Sequence, residues 1–260
     1  MDGPFFSVII VSLNAGRLID STIRSTLAQT DGDFEIIIKD GQSKDDTLSY
    51  VPEDRRIRVF SEPDKSLYDA MNQAIDYSAG RYLIFMNCGD IFASPEVLEK
   101  TKKAIADGRY GMVYGDYQRD GIVRKQPTHL SDFYLYRTPL CHQSVFFSGE
   151  LLRNNIKYDL RYGILADYNL EIYLFKTSDH IHVDTVVCDY LGGGISETEK
   201  GLKIKRNDRL CIIKSQYTPG QRFLYFIRWK LTFPTLRGLI SSSKRMSRKY
   251  YSLVNRINGR

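Results

Sequence analysis

Apolar runs punctuate the N-terminal third of the chain, and each stops at a polar or glycine-bearing corner. Phe5 to Leu13 (FFSVIIVSL) ends at Asn14, Ala15 and Gly16; Phe34 to Lys39 (FEIIIK) ends at Asp40 and Gly41. Arg56 to Phe60 (RIRVF) is shorter, and Tyr82 to Met86 (YLIFM) stops at Asn87, Cys88, Gly89 and Asp90. Unbroken runs of this length predict strands, the first and last of them buried on both faces. Between them the period changes. Leu18, Ile19, Thr22, Ile23 and Leu27 fall at helical spacing within Arg17 to Gln29, and Leu67, Met71, Ala74 and Ile75 mark a helix from Ser66 to Ser78, with Gly80 as its C′ residue. Strand, helix, strand predicts a parallel sheet with right-handed crossovers.

The corners carry the chemistry. In open α/β sheets ligands bind at the carboxyl ends of the strands, so Asp40 and the group Asn87 to Asp90 stand where a cation or a phosphate would be held. Asn, Gly and Asp are also ordinary turn formers, and on these residues alone both readings stand.

Downstream, Ser94 to Gly108 has a helical period with Ser94 as N-cap and Pro95 at the first helical position. MVYGDYQRDGIVRKQ predicts two strands around an Asp120-Gly121 turn, in a mixed-sheet half. Asp167 opens a helix whose Leu170, Ile172, Tyr173 and Leu174 pack inward, and HIHVDTVVCDY gives a strand before Gly192, Gly193 and Gly194, which permit unusual backbone angles.

Composition adds limits. The apolar share of 42% with 26% charged residues is that of a folded soluble protein. No apolar stretch reaches the roughly 18 residues of a membrane span, and MDGPFF lacks a leader's basic start, so the expectation is a protein neither spanning a membrane nor secreted. Cys88, Cys141, Cys188 and Cys211 form no CxxC pair, which fits a reducing cytoplasm. The formal charge is +6, but residues 219–260 hold ten Lys or Arg and no Asp or Glu, leaving −4 for residues 1–218. The basic character belongs to the tail.

In order and spacing, SVIIVSLN, then EIIIKDGQSKDDT, then SEPDKSLYDAMNQAIDYSAGRYLIFMNCGD resemble the nucleotide-sugar-binding half of the family 2 glycosyltransferases with the GT-A fold. The match is close over residues 5–92 and looser to about 200. It implies an α/β fold with a mostly parallel central sheet flanked by helices. Residues 1–218 would form the transferase domain, 5–92 its nucleotide-sugar half and 93–218 its acceptor half, with 219–260 a basic helical extension.

The resemblance implies an inverting transfer of a sugar from a UDP-, GDP- or dTDP-linked donor to a glycan or lipid-linked acceptor, similar to the sugar transferases of bacterial surface polysaccharides. It places Ser12, Asn14, Asp40, Asp45, Asp69, Asn87 and Asp90 on the donor side, with Asn87 and Asp90 as ligands of Mg²⁺ or Mn²⁺ bridging the phosphates. Asn87 and Gly89 stand where that family is commonly acidic. Asp45 fits an Asx turn equally well. TPLCHQSVFFSGELL resembles a block of polysaccharide-assembly members and makes His142 and Gln143 acceptor-side candidates, although a lone His is more often a structural residue. Asp167 matches the family's catalytic base with Ala166 in place of a preceding acid; the alternative is a helix-start acid stabilised by the macrodipole.

Two rivals are a sugar nucleotidyltransferase, which a Gly-rich, Lys/Arg-bearing first loop would favour over SLNAGR, and a noncatalytic nucleotide-sugar binder, which Asn87, Gly89 and Ala166 favour. Basic and aromatic residues interleave in the tail, predicting two short amphipathic helices separated near Pro234 on an anionic membrane surface rather than on nucleic acid. The expected location is cytoplasmic, peripheral on the inner face of a bacterial membrane.

Overall fold

The computed structural model describes residues 3–154 and 156–232. Its centre is a mixed sheet in the order β3-β2-β1-β4-β8-β6-β9-β5, with β7 paired to β6. The parallel half is the one the apolar runs predict: β1 (Phe6–Ser12), β2 (Phe34–Asp40), β3 (Ile57–Ser61) and β4 (Tyr82–Asn87). Every residue of β1 and β2 is buried, whereas β3, at the sheet edge, is half exposed. The remaining strands are β5 (Ile91–Phe92), β6 (Met112–Arg119), β7 (Ile122–Arg124), β8 (Val145–Ser148) and β9 (His180–Asp189). β8 runs antiparallel to both β4 and β6, which makes the second half mixed.

Alternation along the strands divides the core into two layers. Ile9, Val11, Ile37, Leu83 and Phe85 face α2 (Leu67–Tyr77) and α6 (Ala166–Thr177). Val8, Ile10, Ile36, Ile38, Ile84 and Met86 face α1 (Leu18–Leu27) and α3 (Val97–Ile105). The other helices are α4 (Asp132–Arg137), α5 (Gly149–Arg153), α7 (Glu199–Gln216) and α8 (Pro219–Thr232).

Several local expectations change. Gly80 is not a left-handed cap: α2 ends on an extended Ser78, and a Cβ on Gly80 would meet the Ser7 backbone nitrogen at 2.4 Å, so close approach to β1 requires glycine. α3 begins after Glu96 instead of Ser94, because the Ser94 and Pro95 carbonyls accept hydrogen bonds from the Gln29 side chain and the Thr30 backbone. Tyr173 is exposed, sharing the outward stripe of α6 with Lys176, while Leu170, Ile172 and Leu174 are buried. At the Asp120-Gly121 turn both residues have positive φ, 53° and 70°, and the β6–β7 hairpin closes on Arg119 and Ile122 as its turn chemistry demands.

α8 stands where the first of the two expected tail helices falls. Tyr225 docks it, packing among Phe133, Tyr136 and Tyr217 and donating to Asp132 Oδ2 at 2.8 Å. The expected break near Pro234 and the second helix lie outside the described residues. Among the described residues no helix is long and apolar enough to cross a membrane.

Candidate active site

Register assembles the site. β1 pairs Ser12 with Asp40 of β2 and Val11 with Asn87 of β4, while β3 sets Ser61 beside Asp40. Four strand ends thus bring distant stretches of sequence to one edge of the sheet.

Asp40 is fully buried there. Its Oδ1 accepts from Ser12 Oγ at 3.1 Å and Ser43 Oγ at 2.5 Å, and its Oδ2 from the Ser43 backbone at 2.9 Å and Ser61 Oγ at 2.8 Å. Burial alone would raise its pKa, but the hydrogen bonds from Ser43, Ser61 and Ser12 outweigh it, and the net shift is downward. Lys39, one residue earlier, is also buried; its ammonium donates to the carbonyls of Asp40 and Glu62 and lies 3.8 Å from Asp64 Oδ2.

The next loop is stitched to the first. Asn14, at φ 50°, donates its backbone N–H to Ser43 Oγ and accepts from the Lys44 N–H, both at 2.8 Å. Asp45 accepts from the Gly16 and Thr47 N–H groups and from the Thr47 hydroxyl, which lowers its pKa. Asp69 closes the start of α2: its N–H donates to the N-cap Ser66 Oγ, and its carboxylate accepts from the N–H of Lys65, one residue ahead of that cap.

The end of β4 is different. Asp90 is only 2% exposed; Oδ1 accepts from the Leu191 N–H at 2.9 Å, but Oδ2 has no partner, and neither does the buried Oδ1 of Asn87. Burial raises the Asp90 pKa to about 6, although the Leu191 N–H bonded to Oδ1 and the nearby Asn87 backbone and Gln143 side chain oppose the shift. Gly89 sits at φ 98° with Leu191 Cδ2 only 2.5 Å from a Cβ it would carry, so no acid fits between Cys88 and Asp90 without rearrangement. The two unpartnered atoms, Asp90 Oδ2 and Asn87 Oδ1, are hard oxygens, the donor type that Mg²⁺ or Mn²⁺ takes. Among the described residues no group of three or more His, Cys, Asp or Glu could hold a metal alone.

On the other side of the site Asp167 stands in the first turn of α6. Its Oδ1 accepts from Tyr68 Oη at 2.9 Å and from the Tyr168 N–H at 2.8 Å; no hydrogen bond from a described residue engages Oδ2. The N–H groups leading into the helix, those of Ile164 and Leu165, are held instead by Asp208 of α7, at 2.8 and 3.2 Å. Asp208 thus fixes the approach to the helix, while Asp167 holds the first-turn N–H of Tyr168 with Oδ1 alone. Between the two centres runs the short 3₁₀ turn His142–Ser144. His142 packs against Phe85, its Nε2 lies 3.4 Å from Tyr158 Oη, and burial lowers its pKa although the Asp167 charge opposes the shift. Gln143, the next residue, reaches Asp90 instead.

The model of the Glycosyl transferase family 2 matches residues 7–166, which span the nucleotide half and reach α6. The chain belongs to this family. It is 32% identical over 210 residues to a PGL/p-HBAD biosynthesis glycosyltransferase of Mycobacterium bovis, covering 76% of this chain and 81% of the relative. Over 121 residues, 45% of this chain and 47% of the relative, it is 32% identical to the Escherichia coli UDP-Glc:alpha-D-GlcNAc-diphosphoundecaprenol beta-1,3-glucosyltransferase WfgD. Among solved structures, S. aureus TarS 1-349 in complex with UDP-GlcNAc superposes with a TM-score of 0.68 at 16% identity, over 96% of this chain and 79% of that one. The GT-A fold and a glycosyltransferase activity follow, and the nucleotidyltransferase and noncatalytic readings fall away.

Within this glycosyltransferase, sequence reasoning missed four groups: Lys39, Asp64, Asp208 and Glu171. Asp64 follows β3 and had a local signal, an acid at another strand end. Glu171 had none, since α6 is buried nearly all round and an isolated Glu in such a helix looks like a solvent position. A cavity of about 870 Å³ opens at the opposite, amino-terminal edge of the sheet, lined by Asp33, Arg81, Arg109 and Arg153 among others; none of the strand-end carboxylates lines it.

Proposed function

We propose that the chain is an inverting transferase that moves a sugar from a nucleoside diphosphate donor to a hydroxyl of a glycan or lipid-linked oligosaccharide in bacterial polysaccharide or glycolipid assembly. The observation that carries this reading is the state of Asp167: oriented by the Tyr68 hydroxyl and the Tyr168 N–H, both on Oδ1, it keeps Oδ2 for a substrate. As general base it takes the proton of the acceptor hydroxyl while that oxygen attacks the anomeric carbon from the face opposite the leaving diphosphate, which inverts the centre. Asn87 and Asp90 would hold Mg²⁺ or Mn²⁺, which when bound offsets the charge of the departing diphosphate. The strand-end loops carrying Ser12, Asn14 and Asp40 form the floor for the nucleoside. WfgD, by its name, acts on a diphosphoundecaprenol-linked sugar, and neighbouring structures hold UDP-GlcNAc or GDP-Man with Mn²⁺, which supports a nucleotide sugar donor and a lipid-linked acceptor here.

A membrane role for the tail belongs to the same reading. α8 turns Phe223, Leu224, Phe226 and Ile227 outward, Phe223 being 68% exposed, and residues 219–232 carry Arg222, Arg228 and Lys230 without an acid. That composition suits the inner, anionic leaflet of a bacterial membrane, where a cytoplasmic enzyme would meet a lipid-linked acceptor.

Calorimetric titration with UDP-, GDP- and dTDP-sugars, with and without Mn²⁺, paired with a transfer assay on Asp167→Asn, tests the core of this. Turnover should fall by about 10²–10⁴ with donor binding nearly intact; equal loss of both would make Asp167 structural. Anionic vesicles should bind wild type and release Phe223→Ser/Phe226→Ser, and continued binding by that variant would remove α8 from the membrane reading.

A further inference from the structure

Glu171 lies one helical turn beyond Asp167 on α6, so the two carboxyl groups share a face. It is 0% exposed. Its Oε2 accepts from the Leu140 N–H at 3.0 Å, and its Oε1 is buried without a partner. The groups facing it are Asp167 and Tyr168 from its own helix, Cys141 from the segment beside it, and the Tyr158 phenol. Arg209 of α7 lies over the Tyr168 ring, 5.7 Å from its centroid, and donates to the Tyr136 carbonyl. Among the described residues no Lys, Arg or His forms an ion pair with Glu171.

An ionised carboxylate so buried and unpaired costs several kcal/mol, and a second negative charge beside Asp167 adds to that cost. One of the two acids must give way. Asp167 is partly exposed and accepts two hydrogen bonds, whereas Glu171 is fully buried with a single donor, so it is Glu171 that keeps the proton. Burial first, and the Asp167 charge second, raise the Glu171 pKa well above the ordinary carboxylate range.

We infer that Glu171 is a neutral positioning residue for the base: it ties Leu140, and with it the His142–Gln143 turn, to the helix that presents Asp167, while leaving Asp167 the only anion on that face. The tie matters because this turn bridges the two halves of the site, His142 near Tyr158 and Gln143 at Asp90. A Gln can accept the Leu140 hydrogen bond and cannot ionise; an Ala can do neither. The inference rests on Asp167 as the base, and its test separates the two.

Infrared difference spectra of wild type minus Glu171→Gln at neutral pH should show the C=O stretch of a protonated carboxylic acid, whether or not the enzyme turns over; a carboxylate band in its place overturns the inference. In transfer assays Glu171→Gln should keep kcat near neutrality within about twofold and lose any alkaline limb that ionisation of Glu171 imposes. Glu171→Ala should lower kcat by about tenfold to a hundredfold with donor KM little changed, the loss expected when a supporting contact lets a reacting group drift. Wild-type kcat in Glu171→Ala overturns the positioning role, as does a Glu171→Gln variant of native thermal stability that is as inactive as Ala. Normal turnover by Asp167→Asn would instead fell the base assignment, with the infrared band still deciding the state of Glu171.

Discussion

Asp40 and Asp90 both follow buried parallel strands, both lie at the same edge of the sheet, and both are almost inaccessible, yet their surroundings are opposite. Asp40 accepts four hydrogen bonds, from the ends of β1 and β3 and from the loop after β2, and is held toward its charged form. Asp90 has one oxygen without a partner and is pushed toward its neutral form. A satisfied carboxylate is a brace; an unsatisfied buried one has an oxygen left for another partner. Position on the fold is therefore a poor guide to role, and the count of donors around each oxygen is a better one.

The contrast can be broken most directly at Asp40. Asp40→Ala strands three serine side chains and a backbone N–H and should cost about 3 kcal/mol of stability, read as a fall in Tm or in denaturant midpoint; an unchanged Tm would mean that the brace bears no load. Asp90→Ala should do the reverse, leaving stability nearly unchanged and lowering Mn²⁺-dependent donor affinity about a hundredfold, or about 2.7 kcal/mol by calorimetry. Donor binding in that variant as tight as in wild type, and still metal-dependent, would take Asp90 out of the metal site.

Gly89→Asp restores an acid to the motif but places it at φ 98° against Leu191. It should destabilise the protein by about 1–3 kcal/mol and weaken donor binding, whereas tighter metal binding would show that the loop after β9 yields easily. The smallest effect is on pH. Because Asp90 binds its proton more tightly folded than unfolded, its contribution to stability is full below its unfolded pKa of 3.8 and is lost as pH rises through about 6. Between pH 5 and 7 the metal-free protein should lose about 1 kcal/mol that Asp90→Asn does not lose. Mn²⁺ affinity should rise over the same interval as the proton leaves. Asp40 has the opposite sign: its lowered pKa contributes stability above 3.8 that disappears only as pH falls further.

The parallel half was legible almost residue by residue. Phe34 to Lys39 was expected and Phe34–Asp40 is found; Tyr82 to Met86 was expected and Tyr82–Asn87 is found. Strands covered on both faces must be apolar throughout, so their ends coincide with the first polar residue. The mixed half was less legible. α7 is polar along most of its length and holds few buried positions, so no periodic stripe announced it, and β8 is four residues inside a longer apolar stretch. In the site, the acids at strand ends and the helix-start Asp167 could be picked out because their neighbours in the chain signal a corner. Asp208, which holds the Ile164 N–H ahead of α6 from 44 positions away, could not.

Chain order and local pattern were enough to point to the family, the parallel core, and the acids that stand at the carboxyl ends of its strands. Those properties come from periodicity and from motifs contained in a few consecutive residues. Which carboxyls are buried, which way burial and donors push their protonation, and which oxygens have partners were decided by tertiary structure alone. The reason is that protonation and hydrogen bonding depend on burial and on donors within about 3 Å. Around Asp40 those donors come from Ser12, Ser43 and Ser61, and around Glu171 the single donor is Leu140, 31 positions away in the chain.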